Sequence, residues 1–234
     1  MKKVICLLIV LSISVSMSSA LAAGKLSVEQ ENFYAINEYG VNGYVFAKIV
    51  NTGNKDIQVN NVLLEIFDSE GDALTSTDWA SIYGKYLAPG EYCYLRIVDD
   101  IGEGIDDPTM VDDYMLTVSG KSTTDGKTIW LETSGEYKEN VQEGYWTYNY
   151  MYGTITNNTD QDLYEVRIAM ALLDEDDNIL YLYGDGIGYN CALNAGSSVT
   201  FRVDVDDDFI HYFEKNNLVP ASIDVIAYAY VEEY

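Results

Sequence analysis

Histidine is nearly missing from this chain: in 234 residues there is one, His211. That scarcity removes whole classes of chemistry. A hydrolytic triad needs an imidazole to take the proton of its nucleophile. His211, set between Ile210 and Tyr212, reads as an ordinary packed or surface residue. A zinc centre needs clustered His and Cys, and the three cysteines, Cys6, Cys93 and Cys191, lie far apart. Glycine-rich phosphate loops are missing too. Positive charge is equally scarce, with 13 Lys and Arg against 38 Asp and Glu, a formal net charge of −25. Such a field repels phosphate backbones and anionic lipid, so nucleic acid and membrane surfaces are poor partners. Beyond the N-terminus no run approaches the roughly 20 apolar residues of a membrane-spanning helix.

What the chain does have begins with an address. Lys2 and Lys3 precede an apolar run from Val4 to Met17, followed by small residues ending in Ala20-Leu21-Ala22-Ala23. This three-part layout is that of a secretory signal peptide, residues 1–22, with cleavage expected after Ala22. The expected location is secreted or cell-surface. Cys93 and Cys191, the two cysteines beyond the signal, are a candidate disulfide in an oxidising compartment; two buried free thiols are the alternative. High acidity with few apolar residues signals disorder. Here 48% of the residues are hydrophobic and 13% aromatic, enough for packed cores.

The chain repeats itself at an offset of 106 residues. Val50-Asn51-Thr52-Gly53-Asn54-Lys55-Asp56-Ile57 lies over Thr156-Asn157-Asn158-Thr159-Asp160-Gln161-Asp162-Leu163. Without a gap the same offset pairs Tyr44 with Tyr150, Asp68 with Asp174, Leu87 with Leu193, Gly90 with Gly196 and Arg96 with Arg202. Apolar positions keep the register, as in Val62 with Ile168 and Leu64 with Met170. Each copy reads as short strands rich in aromatic and β-branched residues, separated by Asn, Asp and Gly turns. Copies of roughly 100 residues with this rhythm predict an all-β chain of two tandem immunoglobulin-like antiparallel β-sandwich domains. The expected bounds are 23–119 for the first domain, 120–127 for a polar linker and 128–234 for the second. Because the two cysteines are not equivalent repeat positions, a bridge would join the halves. One helix is predicted, over Asp207 to Lys215, while its counterpart near Ile101 to Asp113 reads as loop.

Several of these features sit together in one pattern: Asn51, the run Val62-Leu63-Leu64-Glu65-Ile66-Phe67-Asp68, Gly71, and Leu87-Ala88-Pro89-Gly90. In the second copy they are Asn157, Ala171-Leu172-Leu173-Asp174 and Leu193-Asn194-Ala195-Gly196. The pattern resembles the FxLYD-type immunoglobulin-like domains of bacterial exported proteins and covers about half of each copy. Neither copy carries Phe-x-Leu in full before the aromatic-Asp pair. The resemblance implies a sandwich with a binding or spacer role, and it carries no catalytic residues.

Three sets of residues are candidates for chemistry. Asp174, Asp176 and Asn178 have the alternating oxygen donors of a calcium loop, although Ile179 stands where such a loop needs Gly. Calcium is thus a possible ligand, and no cofactor is required. Tyr148, Tyr150 and Tyr152 share one face of a strand, and Tyr228 and Tyr230 alternate likewise; with Trp79, Trp130 and Trp146 they are candidate ligand-binding faces. Cross-strand aromatic pairing is the competing explanation. Paired carboxylates of a glycosidase remain a third reading, weakened because 38 acids produce close pairs by number alone. Asn157-Asn158-Thr159 also matches a glycosylation sequon, at a position where the fold needs a turn. The reading that fits most of these features is a noncatalytic interaction or spacer module whose partner is an unidentified protein or cell-envelope ligand. Carbohydrate or peptide binding through exposed Tyr and Trp is the alternative.

Overall fold

The structure, a computed structural model, describes residues 25–37, 40–101, 105–124, 126–187 and 191–232; the expected signal segment lies outside the described residues. The first half contains β1 (Leu26–Asn37), β2 (Val41–Asn51), β3 (Ile57–Phe67), β4 (Ala73–Thr77), β5 (Ser81–Tyr83), β6 (Tyr86–Leu87), β7 (Tyr92–Asp100) and β8 (Asp113–Ser122). The second contains β9 (Gly126–Trp130), β10 (Glu132–Glu143), β11 (Trp146–Thr156), β12 (Leu163–Tyr164), β13 (Arg167–Leu173) and β14 (Ile179–Gly186). It continues through β15 (Ala192–Leu193), β16 (Ser198–Asp204), the helix α1 (Asp207–Asn216) and β17 (Ser222–Glu232). The chain is therefore all-β with antiparallel sheets, in a sandwich-like arrangement.

Sheet A has the order β1-β2-β7-β5, and sheet B the order β4-β3-β6 with β8 paired to β3. In the second half, sheet D is β10-β11-β16 and sheet C is β14-β13-β17-β9, with a short β12-β15 ladder beside them. Strands 106 residues apart take equivalent places: β1 with β10, β2 with β11, β3 with β13 and β7 with β16. The first core lies between sheets A and B. There Val45, Ala47 and Ile49 of β2 meet Val62, Leu64 and Ile66 of β3 and Leu95 and Ile97 of β7, all almost fully buried. Alternation of side chains across each strand makes this possible, since every second residue faces inward. In the second half, Met151 and Ile155 of β11 play the part of Val45 and Ile49.

The repeated asparagine does more than turn the chain. Asn51 and Asn157 are fully buried. Asn51 Nδ2 donates to the carbonyls of Lys55 at 2.8 Å and Leu87 at 2.9 Å, and its Oδ1 accepts from Gly53 N at 3.0 Å. Asn157 repeats the set with Gln161, Leu193 and Thr159 at 2.8, 2.8 and 3.1 Å. Its backbone carbonyl accepts from Gly196 N at 2.8 Å, as that of Asn51 does from Gly90 N. An amide supplies two donors and one acceptor in one plane, so each Asn ties the end of one strand, its turn and a strand of the facing sheet together.

Helix α1 begins at Asp206, whose carboxylate accepts from Asp208 N at 3.1 Å, and ends at Asn217 in the left-handed conformation. Asp207 and Asp208 in the first turn and Lys215 in the last complement the helix dipole. Phe209 and Phe213, one turn apart, are its buried face. The equivalent stretch of the first half forms a single 3-10 turn, Pro108–Met110.

The polar segment 120–127 is mostly strand: β8 runs on through Ser122 and β9 starts at Gly126. Its glycines serve close approach. A Cβ on Gly120 would come within 2.6 Å of the Gln58 carbonyl, and one on Gly126 within 2.6 Å of the Tyr86 ring. Glycine and serine composition signals a turn locally, but ladder hydrogen bonds to β3 and β17 on either side hold the segment extended.

Candidate functional site

The two halves meet through the second face of sheet A. On β1, β2, β5 and β7 the side chains pointing away from the first core include Tyr34, Tyr44, Phe46, Tyr83, Tyr92 and Tyr94. Phe46 is wholly buried and forms one cluster with Tyr181 of β14 and Phe209 of α1, whose rings lie 6.2 and 5.7 Å away. The Phe209 ring also stands edge-on to Tyr44 at 4.9 Å. Sheet A is thus covered on both faces, and the four sheets stack in the order B, A, C, D.

Tyrosine suits this junction because its ring is apolar and its hydroxyl can find a partner across the seam. Tyr34 donates to the Ile179 carbonyl at 2.9 Å, and Asn32 Nδ2 joins it at 2.9 Å. The hydroxyls of Tyr92 and Tyr94 both donate to Asp224 Oδ2, at 2.8 and 2.6 Å. Tyr230 Oη accepts from the backbone N–H of Gly84 and Lys85, and Thr128 Oγ1 donates to the Tyr86 carbonyl at 2.6 Å. Burial first, then the Asp224 carboxylate, hold the Tyr92 and Tyr94 hydroxyls well above the usual phenol range, so they stay protonated donors. Beside this seam lies a cleft of about 380 Å³, whose lining includes Glu91, Tyr92, Trp130, Thr133, Asp224 and Ile226.

Tyr148, Tyr150 and Tyr152 do share the outward face of β11. Tyr148 and Tyr150 stack with centroids 5.4 Å apart, and Tyr150 meets Tyr152 edge-on at 5.8 Å. The row is occupied by its own chain. The Arg202 guanidinium lies 4.4 Å over the Tyr150 ring and pairs with Glu143, while Lys138 lies 4.8 Å over Tyr152 and pairs with Glu136 at 2.6 Å. Tyr150 is 5% exposed as a result. The open aromatics are elsewhere: Tyr145 and Trp146 at the β10–β11 hairpin tip are 100% and 70% exposed, and Trp79 between β4 and β5 is 84% exposed.

Asp174, Asp176 and Asn178 form the β13–β14 hairpin. Asp174 Oδ1 accepts from the backbone N–H of Asp176 at 2.9 Å and Asn178 at 2.8 Å, and its Oδ2 from Asn178 Nδ2 at 2.8 Å. Asp68 makes the same two backbone bonds at 2.9 Å with Glu70 and Asp72. The repeated aspartate is a turn-former that bonds its own backbone, and Asn178 presents its amide hydrogens, not its oxygen, to the carboxylate. Among the described residues no group of three or more His, Cys, Asp or Glu is gathered around a metal-sized space. Cys93 is fully buried in the first core, where burial pushes its thiol far up, whereas Cys191 is exposed. The two thiols are free and unbridged: Cys93 faces the inside of sheet A, away from the second half. Nor do they fit the alternative of two buried thiols. His211 is exposed on α1.

The residues that join the halves were half-visible beforehand. Tyr228 and Tyr230 alternate in the sequence, but Asp224, Tyr92 and Tyr94 carry no motif, and their meeting is a product of the stacking. No family model matches the chain, and no curated protein matches it. Among solved structures it is similar to red sea bream transglutaminase, at 11% identity over 88% of this chain and 30% of that one, with a TM-score of 0.23. It is likewise similar to infectious bursal virus derived T=1 particles, at 10% identity over 93% and 67% of the two chains, with a TM-score of 0.20. Likeness at this level carries no functional argument.

Proposed function

We propose that the chain is a noncatalytic interaction or spacer module made of two tandem immunoglobulin-like β-sandwich domains, related to the FxLYD-type exported domains and working outside the cytoplasmic membrane. The observation that carries this reading is the aromatic seam between sheets A and C. A flexible tether leaves domains free to swing, whereas a seam that buries Phe46, Tyr94 and Phe209 and ties hydroxyls across itself favours a fixed pair. A fixed pair holds its two outer sheets, B and D, at a set separation, which is what a spacer or a presenting scaffold needs. The strong negative charge suits a protein that stays soluble outside the cell.

Two measurements test it together. Intact mass of the exported protein is expected to show an N-terminus at Ala23, and small-angle scattering to fit one compact pair. Retention of residues 1–22, or scattering that requires independently moving halves, would sink the reading. Binding of a carbohydrate or peptide is a second reading, favoured by Tyr145 and Trp146 projecting from the hairpin tip. A glycan array would support it if Trp146→Ala removed the signal.

A further inference from the structure

The cleft beside the seam is built unlike the rest of this acidic surface. Asp224 places one carboxylate oxygen, Oδ2, under two tyrosine hydroxyls, and nothing among the described residues bonds Oδ1. Glu91 is similar: Oε2 accepts from Ala88 N at 2.7 Å, and Oε1 has no hydrogen bond among the described residues. Neither carboxylate has an ion pair among the described residues, though both line one concavity and both are partly withdrawn from solvent. Each open oxygen is an acceptor that an entering cation can take. Tyr92 and Trp130 line it beside the two acids, with Ile226 on the same face of β17 as Asp224. Rings beside carboxylates form an arrangement that holds organic ammonium groups, because the ring face and the anions both attract the charge. Lys48 Nζ lies 4.1 Å from the Tyr92 centroid, so one cation of the chain already uses that ring, and among the described residues Trp130 is the wall without one. The volume, about 380 Å³, is at the small end of ligand pockets and admits one extended side chain rather than a folded partner.

We propose that this cleft binds an alkylammonium group, with Asp224 Oδ1 and Glu91 Oε1 as its acceptors and Tyr92 and Trp130 as its walls. The two sources of such a group are a lysine side chain on a peptide and a free small amine. The negative field of the whole protein raises the local concentration of either. The proposal deepens the interaction-module reading and rests on it. Its failure is separate, since a fixed pair with an inert cleft would leave a spacer standing.

The test uses the indole N–H signals of the mature chain in a two-dimensional nitrogen–proton spectrum. Three tryptophans give three such signals, and Trp79 and Trp146, which do not line the cleft, serve as internal controls. Nα-acetyl-lysine methylamide is titrated in one arm, ethylammonium in a second and sodium at matched ionic strength in a third. A saturable shift of the Trp130 signal alone, in at least one amine arm and not with sodium, is expected; tighter binding of the lysine derivative would identify a peptide source. Asp224→Asn should abolish saturation. Glu91→Gln, which keeps the acceptor for Ala88 N, should raise the midpoint by about fivefold, the scale of one half-exposed ion pair. Glu91→Gln decides the matter if Asp224→Asn loosens the seam. An unmoved Trp130 signal, an equal drift of all three, or saturation unchanged in Glu91→Gln would each overturn the proposal.

Discussion

The outward faces of sheets A and D occupy equivalent places in the repeat, and position by position they have diverged. Phe46 on the first corresponds to Tyr152 on the second, Tyr94 to Thr200, Tyr92 to Ser198 and Val50 to Thr156. On sheet A these side chains are covered by β14, β17 and α1. On sheet D, Thr154 and Thr200 bond each other at 3.1 Å, Thr156 and Ser198 at 2.8 Å, and charged pairs lie over the tyrosines. Arg96 and Arg202 are retained at equivalent positions, but among the described residues only Arg202 has a carboxylate partner. The difference is that between a face that must lose its water and one that keeps it. Aromatic area is stabilising where it is buried, and each hydroxyl or charge there needs a dedicated partner.

The largest test of this contrast pairs Phe46→Ala with Tyr152→Ala. The first should cost about 3–5 kcal/mol, the price of emptying a packed aromatic site, and the second under about 1 kcal/mol, both by urea denaturation. Equal losses would mean that the seam is not the load the two halves share. The asparagine clamps sharpen the contrast from the other side, because they are alike in both halves. Asn51→Ala and Asn157→Ala should each cost about 2–4 kcal/mol by stranding buried carbonyls and an N–H; a small loss in one alone would show that its half relaxes independently. Removing a single hydroxyl gives a smaller effect. Tyr94→Phe should cost about 1–2 kcal/mol by taking one donor from Asp224, against less than about 0.5 kcal/mol for Thr200→Val at the equivalent open position.

The smallest effect concerns pH within the first half. Glu31 is held above the usual carboxylate range by burial, partly offset by its hydrogen bond with Tyr114. Because the folded value is raised, the folded state binds the proton more tightly than the unfolded chain. Stability therefore falls as pH climbs from the ordinary glutamate range through the raised value, and is constant above it. Glu31→Gln should raise Tm by roughly 1–3 °C at pH 7.5 and leave it unchanged at pH 4. A rise of the same size at both values would show that ionisation of Glu31 is not the cause.

Much of the fold was legible because it rests on local rules. The period-two pattern of β2 and β3, the Asn-containing turns, the Asp68 and Asp174 hairpins and the helix from Asp207 are each dictated by residues within a few positions of one another. The extended backbone of 120–127 was hidden for the same reason: Gly120 and Gly126 look like turn residues until Ile57 and Tyr86 press against them. The site was less legible. Tyr148, Tyr150 and Tyr152 stood out by spacing, but the sequence does not reveal that Arg202, fifty residues on, would lie over Tyr150.

The sequence by itself determined the duplication, the strand-and-turn grammar of each copy, the negative field and the lack of histidine chemistry, since these depend on composition, spacing and short-range geometry. Tertiary structure alone decided which of two equivalent faces is buried, which carboxylates are left with an open oxygen and where the two cysteines point. Those outcomes depend on how one sheet lies against another, and no local preference of the chain encodes the partner that a side chain meets 130 residues away.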